Sequence, residues 1–172
     1  MSSRPGPDEY AEYYGRYIDQ VPDGDVATLL ESQGNATQKL LSAIGEEKAG
    51  YRYEPDKWSI KQVIGHITDA ERVFAYRLLA FARGEKQPLP GFDQDEYMET
   101  ANFDARSLAE LSKELASTRR ATLSLIRSLD DEAWTRRGVA SDNPISARAL
   151  AWITAGHERH HLNVLRERYG VT

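Results

Sequence analysis

The chain contains no cysteine. Disulfides, thiolate metal sites and a cysteine nucleophile are therefore excluded together, and any metal must rest on histidine and carboxylate ligands. Long apolar runs are missing too. Nothing approaches the roughly 18 apolar residues of a membrane span, and the start MSSRPGP lacks the apolar stretch of a signal peptide, so a cytoplasmic protein is expected. Clustered positive charge is also absent. Lys and Arg total 22 against 27 Asp and Glu, a net charge of -5, and the basic residues are scattered, which argues against a nucleic-acid partner. Proline and glycine show no excess, at 7 and 12 of 172 residues, and no repeat, low-complexity tract or useful strand-type alternation is visible. What remains is one all-α domain over residues 8–172 behind a disordered tail, residues 1–7.

Apolar residues recur at helical spacing. Tyr10, Tyr13, Tyr14, Tyr17, Ile18 and Val21 predict a short helix ended by Pro22. A helix over 25–44 carries Val26, Leu29, Leu30, Gln33, Leu40, Leu41 and Ile44 on one face and stops at Gly45. After a loop over 45–58, Ser59 and Gln62 form a capping box for a helix running to about residue 83. The stretch 84–102 is irregular, with one helical turn near 95–99, and is long enough to traverse a helix, so the helices flanking it can run parallel. The cleanest seam is Leu108, Leu111, Leu115, Thr118, Thr122, Leu125 and Leu129, predicting a helix over 105–129. Residues 130–143 read as loop. A last helix starts at the Ser146 cap and closes at Gly170. The expectation is a four-helix bundle plus a short N-terminal helix.

Chemistry concentrates on the last helix. Leu150, Ile153, His157, His161, Val164 and Leu165 share one stripe, so two imidazoles interrupt an apolar seam at i, i+4, the spacing at which adjacent turns can ligate one ion. His160 falls on the flank, and the remaining histidine is His66, on the 59–83 helix. Two core histidines satisfied by ordinary hydrogen bonds are the competing reading. The same residues spell H-E-x-x-H, in which Glu158 would be the general base of a zinc peptidase. Against a peptidase, only eleven residues follow His161, no further ligand motif follows, and no strand is available to bind an extended peptide. Glu158 stays a candidate base, with a solvated helix-face carboxylate as the alternative.

Several segments resemble the DinB-like superfamily, which is distinct from the lesion-bypass polymerase of similar label. They are Lys57-Trp58-Ser59-Ile60, Gly65-His66-Ile67-Thr68-Asp69 with Glu71-Arg72, Pro88-Leu89-Pro90-Gly91-Phe92-Asp93, the stretch 119–129, and Ala155-Gly156-His157-Glu158-Arg159-His160-His161-Leu162. The resemblance implies a four-helix bundle of up-down-down-up course, with a long crossover between bundle helices 2 and 3. It also implies three histidines on one divalent ion, here His66, His157 and His161, with Zn2+ or Ni2+ first and Fe2+ or Mn2+ as alternatives. Family members include thiol transferases that use bacillithiol or mycothiol and a thiol-dependent maleylpyruvate isomerase, and they are often dimeric, so a homodimer is expected.

Two classes of function follow. Three neutral imidazoles leave a position open on the ion, where a thiol or a water can become a nucleophile. The resemblance favours thiol S-transfer to a small-molecule electrophile over hydrolysis. Arg77, Arg83 or Arg119 could hold an anionic cosubstrate, with a surface or helix-pairing charge as the alternative for each, and Asp69 could orient His66, with a solvent-facing charge as its alternative. The other class is a non-catalytic, metal-stabilised protein connected with stress. A closed structural site would need a fourth protein ligand, which the sequence does not offer.

Overall fold

The computed structural model describes residues 3–172. Two 3-10 turns, Pro7–Glu9 and Glu12–Tyr14, lead into α1 (Gly15–Ile18), α2 (Val26–Ser42), α3 (Glu46–Ala49), α4 (Ile60–Ala82) and α5 (Gln94–Ala101). A third turn, Phe103–Ala105, precedes α6 (Leu108–Arg127) and α7 (Asp131–Thr135), then β1 (Arg137–Ala140), β2 (Asn143–Ser146) and α8 (Ala147–Tyr169). No helix of the described residues is long and apolar enough to cross a membrane.

The four long helices start where their caps dictate. The side chains of Asp25, Ser59, Ser107 and Ser146 each accept a backbone N–H of the first turn, and Ser59–Gln62 and Ser107–Glu110 close reciprocal boxes. The box at Ser107 starts α6 at Leu108, the first seam residue, three residues later than the expected start at 105. At the other end of the bundle Gly170, at φ 61°, closes α8 in the left-handed conformation that glycine adopts at little cost.

Pairwise contacts set the helix directions. Arg119 donates to the Leu30 carbonyl (2.9 Å) and Gln38 to that of Ser112 (3.0 Å), so α2 and α6 are antiparallel. Arg119 also meets Glu71, while Ser59 donates to Asp104 just ahead of α6, so α4 and α6 run the same way. Across α4 and α8, His66 meets His157, and Tyr169 donates to the Trp58 carbonyl (2.7 Å), which is antiparallel. The course is up-down-down-up, and the parallel α4–α6 pair is what requires the long crossover.

Three local expectations need correction. The N-terminal stripe of tyrosines is not one helix. It is broken into single turns whose Ile18 and Val21 carbonyls accept the Arg4 guanidinium, which also lies 4.8 Å from the Trp152 ring. The disordered tail expected over residues 1–7 is not disordered where it is described. Pro5 is buried beside Arg4, and Glu9 is buried with Ser146 Oγ donating to it at 2.7 Å; Met1 and Ser2 lie outside the described residues. The expected loop over 130–143 instead contains α7 and an antiparallel hairpin pairing Arg137 with Ser146 and Ala140 with Asn143. Its turn residues Ser141 and Asp142 have φ 50° and 62°, the sense of a type I′ turn, without the Asn-Gly signature that advertises one. The crossover reaches this hairpin, where Leu89 N–H donates to the Val139 carbonyl at 2.9 Å.

The interior is layered. One apolar cluster gathers Val26, Phe74, Phe81, Ile126, Trp134 and Ile153, and another gathers Leu41, Ile60, Ile64, Leu111, Leu162 and Leu165. Gln33, Thr37, His66, Glu71, Arg119, His157 and Glu158 are buried but belong to neither. Each must find a polar partner there, because an unpaired polar group away from water is costly.

Candidate metal centre

His66 sits in the second turn of α4, and His157 and His161 sit on successive turns of α8, facing it. His66 Nε2 and His161 Nε2 each lie 3.1 Å from His157 Nε2. Among the described residues, these three form the one histidine and carboxylate group compact enough to share an ion, with ligand atoms all within 4.8 Å of one another. Aromatic rings wall them in: Trp58 is 4.8 Å from His66 between centroids, and Tyr17 and Phe74 are 5.4 and 5.5 Å from His157.

The donor set fits a divalent ion better than it fits hydrogen bonding. A neutral imidazole nitrogen either donates or accepts, so His157 Nε2 cannot make full hydrogen bonds to two other ring nitrogens. Metal–nitrogen bonds of about 2.0–2.1 Å in tetrahedral geometry would separate ligand nitrogens by about 3.3–3.4 Å, close to the two 3.1 Å separations from His157. Burial pushes the His66 pKa down to about 4. Burial, then the neighbouring imidazoles and Arg16, lower His161 to about 2 and hold His157 well below its ordinary value. All three rings are thus neutral near pH 7, with lone pairs available for ligation.

The other residues weighed for the site lie outside this cluster. His160 is on the flank, its ring 5.5 Å from Tyr17 and 5.1 Å from His161. Asp69 accepts from Arg72 at 3.1 Å rather than from His66, and burial raises its pKa. Glu158 matches neither expectation for it: it is 1% exposed, hence not solvated, and it turns toward α2 and α6. There it accepts from Thr37 Oγ1 (2.7 Å), Arg119 Nη2 (2.8 Å) and Gln33 Nε2. Arg119 also clasps both oxygens of buried Glu71, at 2.9 and 2.7 Å. With two carboxylates around it, Arg119 is a helix-pairing charge, and Arg83 is exposed.

Two openings lead to the histidines. A cavity of about 350 Å³ is lined by Tyr17, His66, Phe74, Arg77, Phe92 and His157, among others. A second, of about 290 Å³, reaches His160 and His161 beside Trp58 and Lys57. Asp95, exposed in the first turn of α5, lines both. Sequence reasoning passed over Asp95 and the Glu71–Arg119–Glu158 network. Gln33 within an apolar face, and Arg119 beside the Thr118 seam position, were the available signals for the network; Asp95 gave none, because its place depends on the path of the crossover.

Sequence and fold comparisons agree with this architecture. The profile of the DinB superfamily matches residues 29–165. A protein of Oceanobacillus iheyensis, provisionally named a metal-dependent hydrolase, is 27% identical over 135 residues, 77% of each chain. Among solved structures, YfiT from Bacillus subtilis, described as a probable metal-dependent hydrolase with an unusual four-helix bundle topology, superposes with a TM-score of 0.74. It is 17% identical, and the match covers 98% of this chain and 94% of that one. A mycothiol-dependent maleylpyruvate isomerase superposes with a TM-score of 0.66 at 15% identity, over 86% of this chain and 60% of its own. The chain belongs to the DinB superfamily.

Proposed function

We propose that this DinB superfamily protein is a metal-dependent enzyme acting on a small molecule, with His66, His157 and His161 holding one divalent ion, Zn2+ or Ni2+. The observation that carries this reading is the convergence of three neutral, aromatic-walled imidazole nitrogens on one point, with no carboxylate among them to close the set. A divalent ion held by three protein ligands supplies Lewis acidity and eases proton loss from whatever occupies its open position. The protein's residues do the rest. The histidines donate lone pairs, Tyr17, Trp58 and Phe74 pack against their rings, and Asp95 lines both openings, where an exposed carboxylate can accept a proton. Glu158 is not the base in this scheme, because its oxygens already accept from Thr37, Gln33 and Arg119.

Hydrolysis is the first reaction type, supported by the Oceanobacillus relative, which matches along most of its length. Thiol-dependent transfer is the second, supported by the fold shared with the mycothiol-dependent isomerase. The test is metal content by elemental analysis of protein purified without a metal-binding tag. Replacing His66, His157 or His161 with Ala should each remove most of the ion, whereas His160→Ala should keep it. Retention of a full equivalent in any of the first three variants would reject the three-histidine centre. Turnover of ester and amide panels with and without a low-molecular-weight thiol then separates the two reaction types.

A further inference from the structure

Among the described residues two arginines are buried, and only one of them is neutralised. Arg119 holds two carboxylates, whereas Arg77, 3% exposed, has none within ion-pair distance among the described residues. Its Nη2 donates to the Pro90 carbonyl (2.8 Å) and to Ser141 Oγ (2.9 Å), both neutral. These two bonds use the hydrogens of one nitrogen. The Nε–H and both Nη1–H groups have no protein acceptor, and the side chain lines the cavity of about 350 Å³ that also exposes His66 and His157. Those free N–H groups are not sealed from the cavity, so a guanidinium without a counter-ion faces the opening, and an anion from solution is the partner that would neutralise it.

We propose that Arg77 is the anion-binding group of this cavity, and that the substrate is a small molecule carrying one carboxylate on an apolar or aromatic body. The body follows from the walls. Phe74, Phe92 and Tyr17 line the same cavity as Arg77 and the histidines, with the Phe92 ring centroid 5.9 Å from the guanidinium carbon. The single negative charge follows from the mouth, where Asp93 and Asp95 are exposed and would repel a multiply charged anion. Arg77 lies where the crossover at Pro90 meets the hairpin at Ser141, so its guanidinium is held in place before any ligand arrives. The assignment of the substrate end rests on the three-histidine centre being the reactive one.

The experiment is calorimetric titration of the full chain, zinc-loaded and chelator-treated, with phenylacetate, its neutral isostere phenylacetamide, and phenyl phosphate. Phenylacetate should bind at least about tenfold more tightly than the amide in both forms of the protein. Arg77→Gln should abolish that preference while metal content and helicity stay unchanged. Ser141→Ala, which removes a neutral tether and not the charge, should retain it, and so should Arg77→Lys if the glutamine variant does not fold. Equal binding of acid and amide, an undiminished preference in Arg77→Gln, or tighter binding of phenyl phosphate would each overturn the proposal. A protein that takes up no ion yet keeps the Arg77-dependent preference refutes the metal centre alone. One that takes up a full equivalent and shows no preference refutes this inference alone.

Discussion

A glycine in the middle of α8 gives a decisive test of how the N-terminal segment is held against the histidines. A Cβ added at Gly156 would lie 2.2 Å from the Tyr17 carbonyl oxygen and 2.4 Å from its carbon, where ordinary contact begins at 3.4 Å. Both atoms are main chain, so no rotamer change relieves the overlap, and the segment around α1 must retreat by about 1.2 Å. Two effects oppose each other in Gly156→Ala. Helix propensity favours alanine by about 1 kcal/mol. Overpacking a close backbone contact costs about 1–3 kcal/mol or more, and the retreat also strains the Arg4 bonds to Ile18 and Val21. The steric term should win, with a net loss of up to about 2 kcal/mol and a fall in Tm of up to roughly 8 °C for a chain of this size, followed by far-ultraviolet circular dichroism. Gly34, inside α2, supplies the control. Its added Cβ would meet Arg119 Cγ at 3.4 Å and Nη1 at 3.5 Å, which are ordinary contacts, so Gly34→Ala should be neutral or stabilising by up to about 1 kcal/mol. If Gly156→Ala were as stable as the unsubstituted protein, propensity would have won. The close seating of Tyr17 over His157 would then be wrong.

The apolar stripes located all four long helices because burial on one face leaves a 3.6-residue period in the chain, and two of the four N-termini, at Ser59 and Ser146, were legible from their caps. The His157 and His161 pair was legible for the same reason: a polar residue on a buried stripe stands out against its neighbours. His66 was not separable by spacing alone, since its meeting with His157 depends on α4 and α8 running antiparallel. Glu158 shows the opposite failure. Its motif suggested a base beside the metal, but one helical position, 100° around the axis, turns it toward α2 and α6. There Gln33, Thr37 and Arg119 await it. No local signal gives that outcome, because the three partners come from two other helices. The hairpin was missed because Ser141-Asp142 adopts positive φ under tertiary contact with Leu89 rather than from intrinsic preference. Arg77 lies between the same two segments, so its burial is equally invisible until the crossover is traced.

Acid should destabilise the metal-free protein before it titrates the carboxylates. The His66 pKa is about 4 folded against an ordinary 6.5, so between those values the unfolded chain binds the extra proton and stability falls as pH falls. The loss approaches the order of 3 kcal/mol for this residue, with no change expected above pH 7. Urea denaturation in chelator at a series of pH values measures it, and a slope undiminished in His66→Gln would refute the assignment. The last prediction concerns the buried charges behind the metal centre. Burial opposes the charge on Arg119, yet Glu158 and Glu71 hold its pKa above the ordinary arginine value. Arg119→Met removes the one cation from this cluster and leaves two carboxylates buried at 2% and 1% side-chain exposure, a situation that costs about 3–5 kcal/mol. Adding Glu71→Gln and Glu158→Gln removes the stranded charges and should recover most of the loss, since a neutral polar layer needs no counter-ion. The triple variant should also keep its metal, because His157 and His161 are oriented toward α4 by Tyr17, Phe74 and His66 rather than by Glu158. A triple variant that is stable but metal-free would instead make Glu158 the residue that sets the rotation of α8 and thereby aims both histidines.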